Sequence, residues 1–352
     1  MLNQIEKIDA IDSAHMVDTI AQFPQQLEEA QSILNQFQIP DFIKVDNVVV
    51  SGMGASGISG DIVQSLFHDK LDVPFFVNKS YDLPKWVHKN TLSVILSYSG
   101  DTEETLSSFK QAVQKKCHIV AVTSGGKLAE YCEKREITCI HIPKGFQPRA
   151  ATAYLLVPLL FILRKNGVIK NTLESDLAEA RDVVKRSCKL YAKNVPLDEN
   201  PAKQLAQDVQ GTILKLYGWG LYAPVALRWR TQLNENSKLI ADFDIVPDAN
   251  HNDIIGWTGD AENAKHFSCL LFRDSHEESI YMKTRLDFMK VLFEDVAHVV
   301  KEVRPEGKSR LARMLYCMNL GDFVSCYLAF LRGQDPTPID AITELKNRLS
   351  LF

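Results

Sequence analysis

The sequence predicts an open α/β protein built from two parallel-sheet halves flanked by helices, the second a diverged copy of the first. Three observations predict it. From about residue 47, continuous apolar runs rich in β-branched residues alternate with amphipathic stretches, the pattern of strands covered by helices on both faces. The order of strand, glycine-containing turn and helix then recurs further along. Finally, 352 residues that are 45% hydrophobic and 24% charged suit roughly two domains of ~150 residues, with a core that needs no disulfide or metal staple.

Up to about Gln38 the chain reads as polar helix with a weak apolar period through Ile20, Phe23, Leu27 and Ile33, a leader and not a site. Strands are expected at Asn47 to Gly52, Val73 to Val77, Leu92 to Leu96, His118 to Thr123 and Ile137 to Pro143. Ala150 to Asn166 reads as a strongly apolar helix that Pro158 should kink, and Leu173 to Asn194 as a charged helix of the kind that joins domains. The boundary is expected near Gly167, giving domains over 1–166 and 167–352. In the second, Thr212 to Gly218 enters a glycine-containing turn and helix as Asn47 to Gly52 does. Phe267 to Phe272 precedes a polar turn and helix as Leu92 to Leu96 does.

The 40 basic and 44 acidic side chains leave a net charge of −4, so no global field draws nucleic acid or an anionic membrane. Any anionic ligand must be held by local donors, and a small molecule is the expected partner. The longest apolar run, Tyr154 to Leu163, is well short of the ~20 residues of a membrane span. The first residues lack a cationic stretch followed by an apolar one, so the expected location is the cytoplasm. Seven cysteines, odd in number and never spaced C-x-x-C, read as reduced buried thiols. The histidines form neither H-E-x-x-H nor H-x-H, so no metal site is expected, and no cofactor is expected either.

In open parallel sheets ligands bind beyond the carboxyl ends of the strands, and two motifs fall there. Gly52-Met-Gly54-Ala-Ser56-Gly57 follows a strand and opens a helix, so backbone amides near Gly54 and Ser56 favour an anion. It also spells G-x-G-x-x-G, yet the acid a dinucleotide site needs after the second strand is absent: Val77 is followed by Asn78, and Asp72 sits at the wrong end. The plainer reading is that the glycines permit tight strand-to-helix packing. The second motif, Ser97-Tyr-Ser99-Gly-Asp-Thr102, puts three hydroxyls at another strand-to-helix turn. Ser97 and Ser99 should share a face and Thr102 should lie in the first helical turn, a cradle for a phosphate monoester. Its plainer reading is N-capping by Ser99 or Asp101.

GMGASGISGD, SYSGDTEET, QPRAA, NENSK, HNDIIGW and YLAFLRGQDPTPIDAITELK occur in this order, and together they resemble the bifunctional phosphoglucose/phosphomannose isomerases, whose halves are sugar-isomerase (SIS) domains. Asp253 and Ala55 stand where that family's pattern carries Glu and Gly. The resemblance implies interconversion of glucose 6-phosphate, and mannose 6-phosphate, with fructose 6-phosphate through a cis-enediol. Such chemistry needs a base, a stabiliser for the enediolate oxygen and groups that open the sugar ring.

Glu235 sits where a helix of the second half ends, and a carboxylate suits the work because it can take a proton from one carbon and return it to the next; the resemblance makes it the base. Arg149, in QPRAA after the fifth strand, offers a fixed guanidinium for a developing oxyanion, and a cation at a helix start is otherwise unfavourable; the alternative is a structural pair with a carboxylate. His251, on a polar turn, carries an imidazole of the kind used as general acid or base; by resemblance it assists ring opening in the neighbouring subunit of a homodimer. Lys346, on the last helix, reads alone as a solvated charge, and by resemblance as a second ring-opening residue that needs this helix to fold back over the sheet edge. A non-catalytic sugar-phosphate sensor on the same fold is the alternative. It would have no use for Glu235 and Arg149 together.

Overall fold

In a computed structural model, which describes residues 1–170 and 173–349, the chain runs as follows. Helices α1 (Ile5–Ile11), α2 (Met16–Ala21) and α3 (Phe23–Leu34) precede β1 (Asn47–Ser51), α4 (Gly54–Leu66), β2 (Phe75–Asn78), β3 (Thr91–Ser97), α5 (Glu103–Gln114), β4 (His118–Thr123), α6 (Gly126–Glu133) and β5 (Cys139–His141). A 3₁₀ turn (Pro148–Ala150) leads into α7 (Thr152–Lys165), and α8 (Leu173–Tyr191) and α9 (Pro201–Asp208) follow. Then come β6 (Ile213–Gly218), α10 (Ala223–Glu235), β7 (Ala241–Ile245), α11 (Asp253–Gly259), α12 (Ala261–Ala264), β8 (Phe267–Phe272), α13 (Ile280–Glu294), β9 (Val299–Val303), α14 (Arg310–Leu331) and α15 (Asp340–Leu349).

Among the described residues the strands form two sheets, ordered β2-β1-β3-β4-β5 and β7-β6-β8-β9, and every pairing is parallel. The first four strands of each half therefore take the same order, and β5 alone has no counterpart. Central strands β1 and β3, NVVVS and TLSVILS, are buried at every position, as strands covered on both faces must be. Each sheet has a switch point, between β1 and β3 and between β6 and β8, where the turns beyond the strand ends diverge and leave a crevice.

The chain packs as two compact units that are not contiguous in sequence. One comprises Gln22–Lys185 with Glu306–Tyr316; the other comprises Met1–Ala21, Arg186–Pro305 and the residues from Cys317 onward. In the former, α7 is apolar all round, its residues Thr152 to Leu160 are all buried, and it packs against α3 and α4. Pro158 lies inside this helix.

Several boundaries differ from the expected ones. The fifth strand shrinks to Cys139–His141 because Ile137 is consumed in closing α6, its N–H donating to the Cys132 carbonyl at 3.0 Å, with Glu136 in the left-handed region (φ 54°). That is a helix-ending motif which the apolar run concealed. Strands β7 and β9 lie at sheet edges and carry ADFDI and VVKEV, too polar to stand out as buried strands. Helix α14 is the largest omission. By length and composition it could cross a membrane, yet 89% of its most apolar stretch is buried, which makes it a core helix.

Candidate functional site

The hydroxyl turn grows out of β3. Ser97, its last residue, is buried; its Oγ accepts the Gly100 N–H at 3.1 Å and donates to Thr102 Oγ1 at 3.2 Å. Ser99 is exposed, and its Oγ accepts the Asp101 N–H at 3.3 Å. The capping expectation is corrected here. Thr102, not Ser99 or Asp101, is the N-cap residue of α5, and its side chain makes no capping bond. Asp101 instead turns to α6, accepting the Lys127 N–H at 3.0 Å. The turn thus gathers three hydroxyls beside the amides of a helix N-terminus whose N-cap side chain makes no capping bond, a donor set suited to a phosphate.

Across the switch point, Met53 is the N-cap of α4 with no side-chain cap, Gly54 is exposed with φ 50°, and Ser56 is buried in the first turn. Ala55 is absent from the left-handed region, so its methyl fits. The packing reading holds for Gly57: a Cβ there would sit 2.5 Å from the Gly52 carbonyl oxygen. Asn78, where a dinucleotide site would place an acid, is buried and donates to Ser108 Oγ at 2.9 Å and to the Ser80 carbonyl.

Tyr98, between the two serines, points the opposite way and is buried. Its hydroxyl donates to the Pro143 carbonyl at 3.0 Å and accepts the Phe146 N–H at 2.9 Å. It thereby clasps the loop that carries Arg149. Burial pushes its phenol up, which keeps the donor proton in place. Arg149 itself lies neither at the end of β5 nor at the start of α7: residues 142–147 intervene, and it occupies the 3₁₀ turn, 3% exposed, with Nη1 3.4 Å from Gln147 Oε1. The sequence signal for Tyr98 was available, since a residue between two serines that share a face must point to the opposite one.

In the other unit, Glu235 is the last residue of α10 and half-buried. That helix end is held firmly. Arg228, one face up, makes a two-point ion pair with Asp322 on α14 (3.1 and 2.7 Å), which Gln232 joins at 2.8 Å. Burial pushes the Asp322 carboxyl up, opposed by the Arg228 charge. Beyond the helix, Asn236 and Ser237 are fully buried, donating to Ser325 Oγ at 2.9 Å and to the Ser325 carbonyl at 2.5 Å. Lys238, in the left-handed region, donates to the Glu235 carbonyl at 2.5 Å. NENSK is therefore a rigid mount for one carboxylate, and its partners on α14 lie about ninety residues away, beyond the reach of local sequence patterns.

His251 ends a 3₁₀ turn (Asp248–His251) beyond β7 and is exposed. The segment is anchored two residues later. Asp253 accepts from the Tyr217 hydroxyl and from Trp257 Nε1 at 3.2 Å, and its other oxygen faces Lys215 Nζ at 3.5 Å. Burial, then the bond to Asp253, pushes the Tyr217 phenol far up. Lys346 is exposed on α15, a helix none of whose residues is buried. Among the described residues no group of three or more His, Cys, Asp or Glu side chains forms a metal-binding set.

Comparison with known proteins bears on what these turns are. A family model described as the bacterial phospho-glucose isomerase C-terminal SIS domain matches residues 198–349, and one described as the SIS domain matches residues 41–163. A bifunctional phosphoglucose/phosphomannose isomerase of Caldicellulosiruptor bescii is 37% identical over 341 residues, covering 95% of this chain and 99% of that protein. One from Aquifex aeolicus is 36% identical, covering 91% and 96%. Among solved structures, a glucose-6-phosphate isomerase-like protein from Thermus thermophilus superposes with a TM-score of 0.65 at 17% identity, covering 97% of this chain and 99% of that one. At that identity the likeness speaks for the fold.

Proposed function

Because the chain belongs to the bifunctional phosphoglucose/phosphomannose isomerase family, we propose that it interconverts glucose 6-phosphate and mannose 6-phosphate with fructose 6-phosphate. The hydroxyl turn carries this reading: Ser97, Ser99 and Thr102 stand beside an uncapped α5, with Gly54 and Ser56 across the switch point. These groups hold the phosphate. Glu235 moves the proton between C1 and C2. Arg149, a buried guanidinium, stabilises the negative charge that gathers on the enediolate oxygens. A planar cis-enediol has lost the C2 stereocentre, so one base serves both aldose epimers.

Ring opening is assigned to His251 and Lys346, with His251 given to the active site of a second copy in a homodimer. Chain topology supports the exchange. Since β6 and β7 are parallel, α10 must run back between them, which brings Glu235 to the edge where the strands begin. His251 follows the edge where β7 ends. Five strand residues at ~3.3 Å each separate the two edges by about 17 Å, too far for both groups to reach one hexose. Ile342 and Leu345 on α15 are 39% and 57% exposed, so this amphipathic helix has an apolar face left for a partner to cover. Seven free thiols fit a reducing cytoplasm.

The test is Glu235→Gln, assayed in both aldose-to-ketose directions by detecting fructose 6-phosphate. Loss of the base should lower kcat by ~10²- to 10⁴-fold with KM close to the parent's. A variant that keeps the parental kcat removes Glu235 as the base. Formation of no fructose 6-phosphate by the parent, with binding retained, would favour a sensor.

A further inference from the structure

Two cysteines of the first sheet are brought together by the turn that closes α6. Cys132 lies in the last turn of that helix and Cys139 opens β5. Between them the chain reverses tightly: the Arg135 and Ile137 N–H groups both donate to the Cys132 carbonyl, at 3.1 and 3.0 Å, and Glu136 takes the left-handed conformation. The two side chains meet in one apolar cluster with Phe109, Ile119, Leu128 and Ile137. Their environments differ in access. Cys132 is fully buried, whereas Cys139 is half-buried and lines an open cavity of about 780 Å³ with Glu130, His141 and Lys144.

We propose that Cys132 and Cys139 form a peroxide-sensitive thiol pair that closes to a disulfide. Cys139 is the attacking sulfur. Its thiolate displaces one oxygen of the peroxide; the O–O bond breaks, leaving a sulfenic acid on Cys139 and a hydroxide that becomes water. The Cys132 sulfur then attacks the Cys139 sulfur, expels the second oxygen as water and completes the S–S bond. Two thiols and one peroxide give one disulfide and two waters, with two electrons passing from sulfur to oxygen.

The electrostatics favour this direction. Interaction with the neighbouring Cys132 thiol holds the Cys139 thiol below its ordinary value; the same interaction, then burial, pushes Cys132 up. Cys117, the other half-buried cysteine, donates to the His88 carbonyl at 3.4 Å, and burial pushes its thiol up to about 11. Being almost wholly protonated near neutrality, it should react more slowly. The remaining cysteines are buried.

The experiment treats the full chain with a small excess of hydrogen peroxide at neutral pH. Intact mass and peptide mapping follow, with and without dithiothreitol. The expected result is a species lighter by two hydrogens, a cross-linked peptide joining 132 to 139, and full reversal by the reductant. Cys132→Ser should lose the cross-link and leave Cys139 as a sulfenic acid that dimedone traps. Cys139→Ser should leave Cys132 reduced. Consumption of Cys117 before the pair, or oxidation of Cys139 to sulfinic acid without a cross-link in the parent, overturns the proposal.

Discussion

The turns after β3 and after β8 occupy the same place in the two sheets and have opposite chemistry. After β3 the chain offers small residues and hydroxyls, and the next helix is left without a side-chain cap. After β8 it offers Arg273, 3% exposed, whose guanidinium donates to Glu278 twice and to Asp287 and Glu302 once each. Lys283, Lys290 and Arg304 join the same three carboxylates or Glu294. Four cations meet four carboxylates, so no surplus of positive charge remains for a phosphate dianion. The turns after β1 and β6 differ in the same sense. Gly57 allows the first a close strand-to-helix approach, while the second is filled by Trp219 and Tyr222, donating to the Phe272 carbonyl at 2.8 Å and to Asp274 at 2.6 Å. One topology therefore yields a hydroxyl-bearing turn suited to an anion in one copy and a neutralised, side-chain-filled rim in the other. Function follows the turn chemistry and not the fold.

The comparison breaks most visibly at Gly100. Its φ is 76°, and a Cβ there would lie 1.8 Å from the Gly125 carbonyl oxygen, where the hydroxyl turn meets α6. Left-handed strain of ~1–2 kcal/mol and overpacking of ~1–3 kcal/mol together put Gly100→Ala at about 3 kcal/mol of lost stability by urea titration. Gly256, in α11 of the other unit, has open space and no positive φ. There Gly→Ala should gain ~0.5–1 kcal/mol through helix propensity. Equal losses at the two sites would mean that the packing around the hydroxyl turn is not special.

Next in size is a pair of serines. Ser97→Ala removes one of the proposed phosphate donors and the acceptor for the Gly100 N–H. A lost bond to a charged group is worth ~1.5–3 kcal/mol, so KM for either hexose phosphate should rise at least tenfold. Ser275→Ala, in the charged turn after β8, should leave KM unchanged. A rise of similar size there would show that the second rim also binds substrate.

The sequence revealed what depends on neighbours along the chain and hid what depends on distant ones. Strands β1, β3, β4, β6 and β8 are continuous apolar runs, so their positions were legible to within a residue or two. The edge strands β7 and β9 were not, because one face is polar and the alternation is short. Helix α14 escaped notice because its apolar residues surround it and are broken by Asn319, Gly321, Asp322 and Ser325. Asn319, Asp322 and Ser325 are buried by design: they receive Ser187, Arg228 and Asn236. At the candidate site the motifs were readable and the mounts were not. The Tyr98 clasp spans 45 residues to Pro143, and the tether from Arg228 to Asp322 spans 94.

The smallest expected effect concerns acid, and it is confined to the charged rim. Burial opposes ionisation of Glu278, but hydrogen bonds from Arg273 and from the Asp274 N–H overcome it and hold the carboxyl below its ordinary value. Bonds from Lys283 and Arg273 do the same for Asp287. In the unfolded chain both protonate near pH ~4, so below that pH the unfolded state binds more protons and stability falls. The contribution is complete above the ordinary carboxylate range and is lost as pH drops through the depressed native values. Glu278→Gln lacks its share of that loss. The gap in Tm between parent and variant, largest near neutrality, should narrow as the pH is lowered through ~4 toward ~3. A gap that stays constant would show that Glu278 ionises as freely in the fold as outside it, and that Arg273 is neutralised by Glu302 and Asp287 alone.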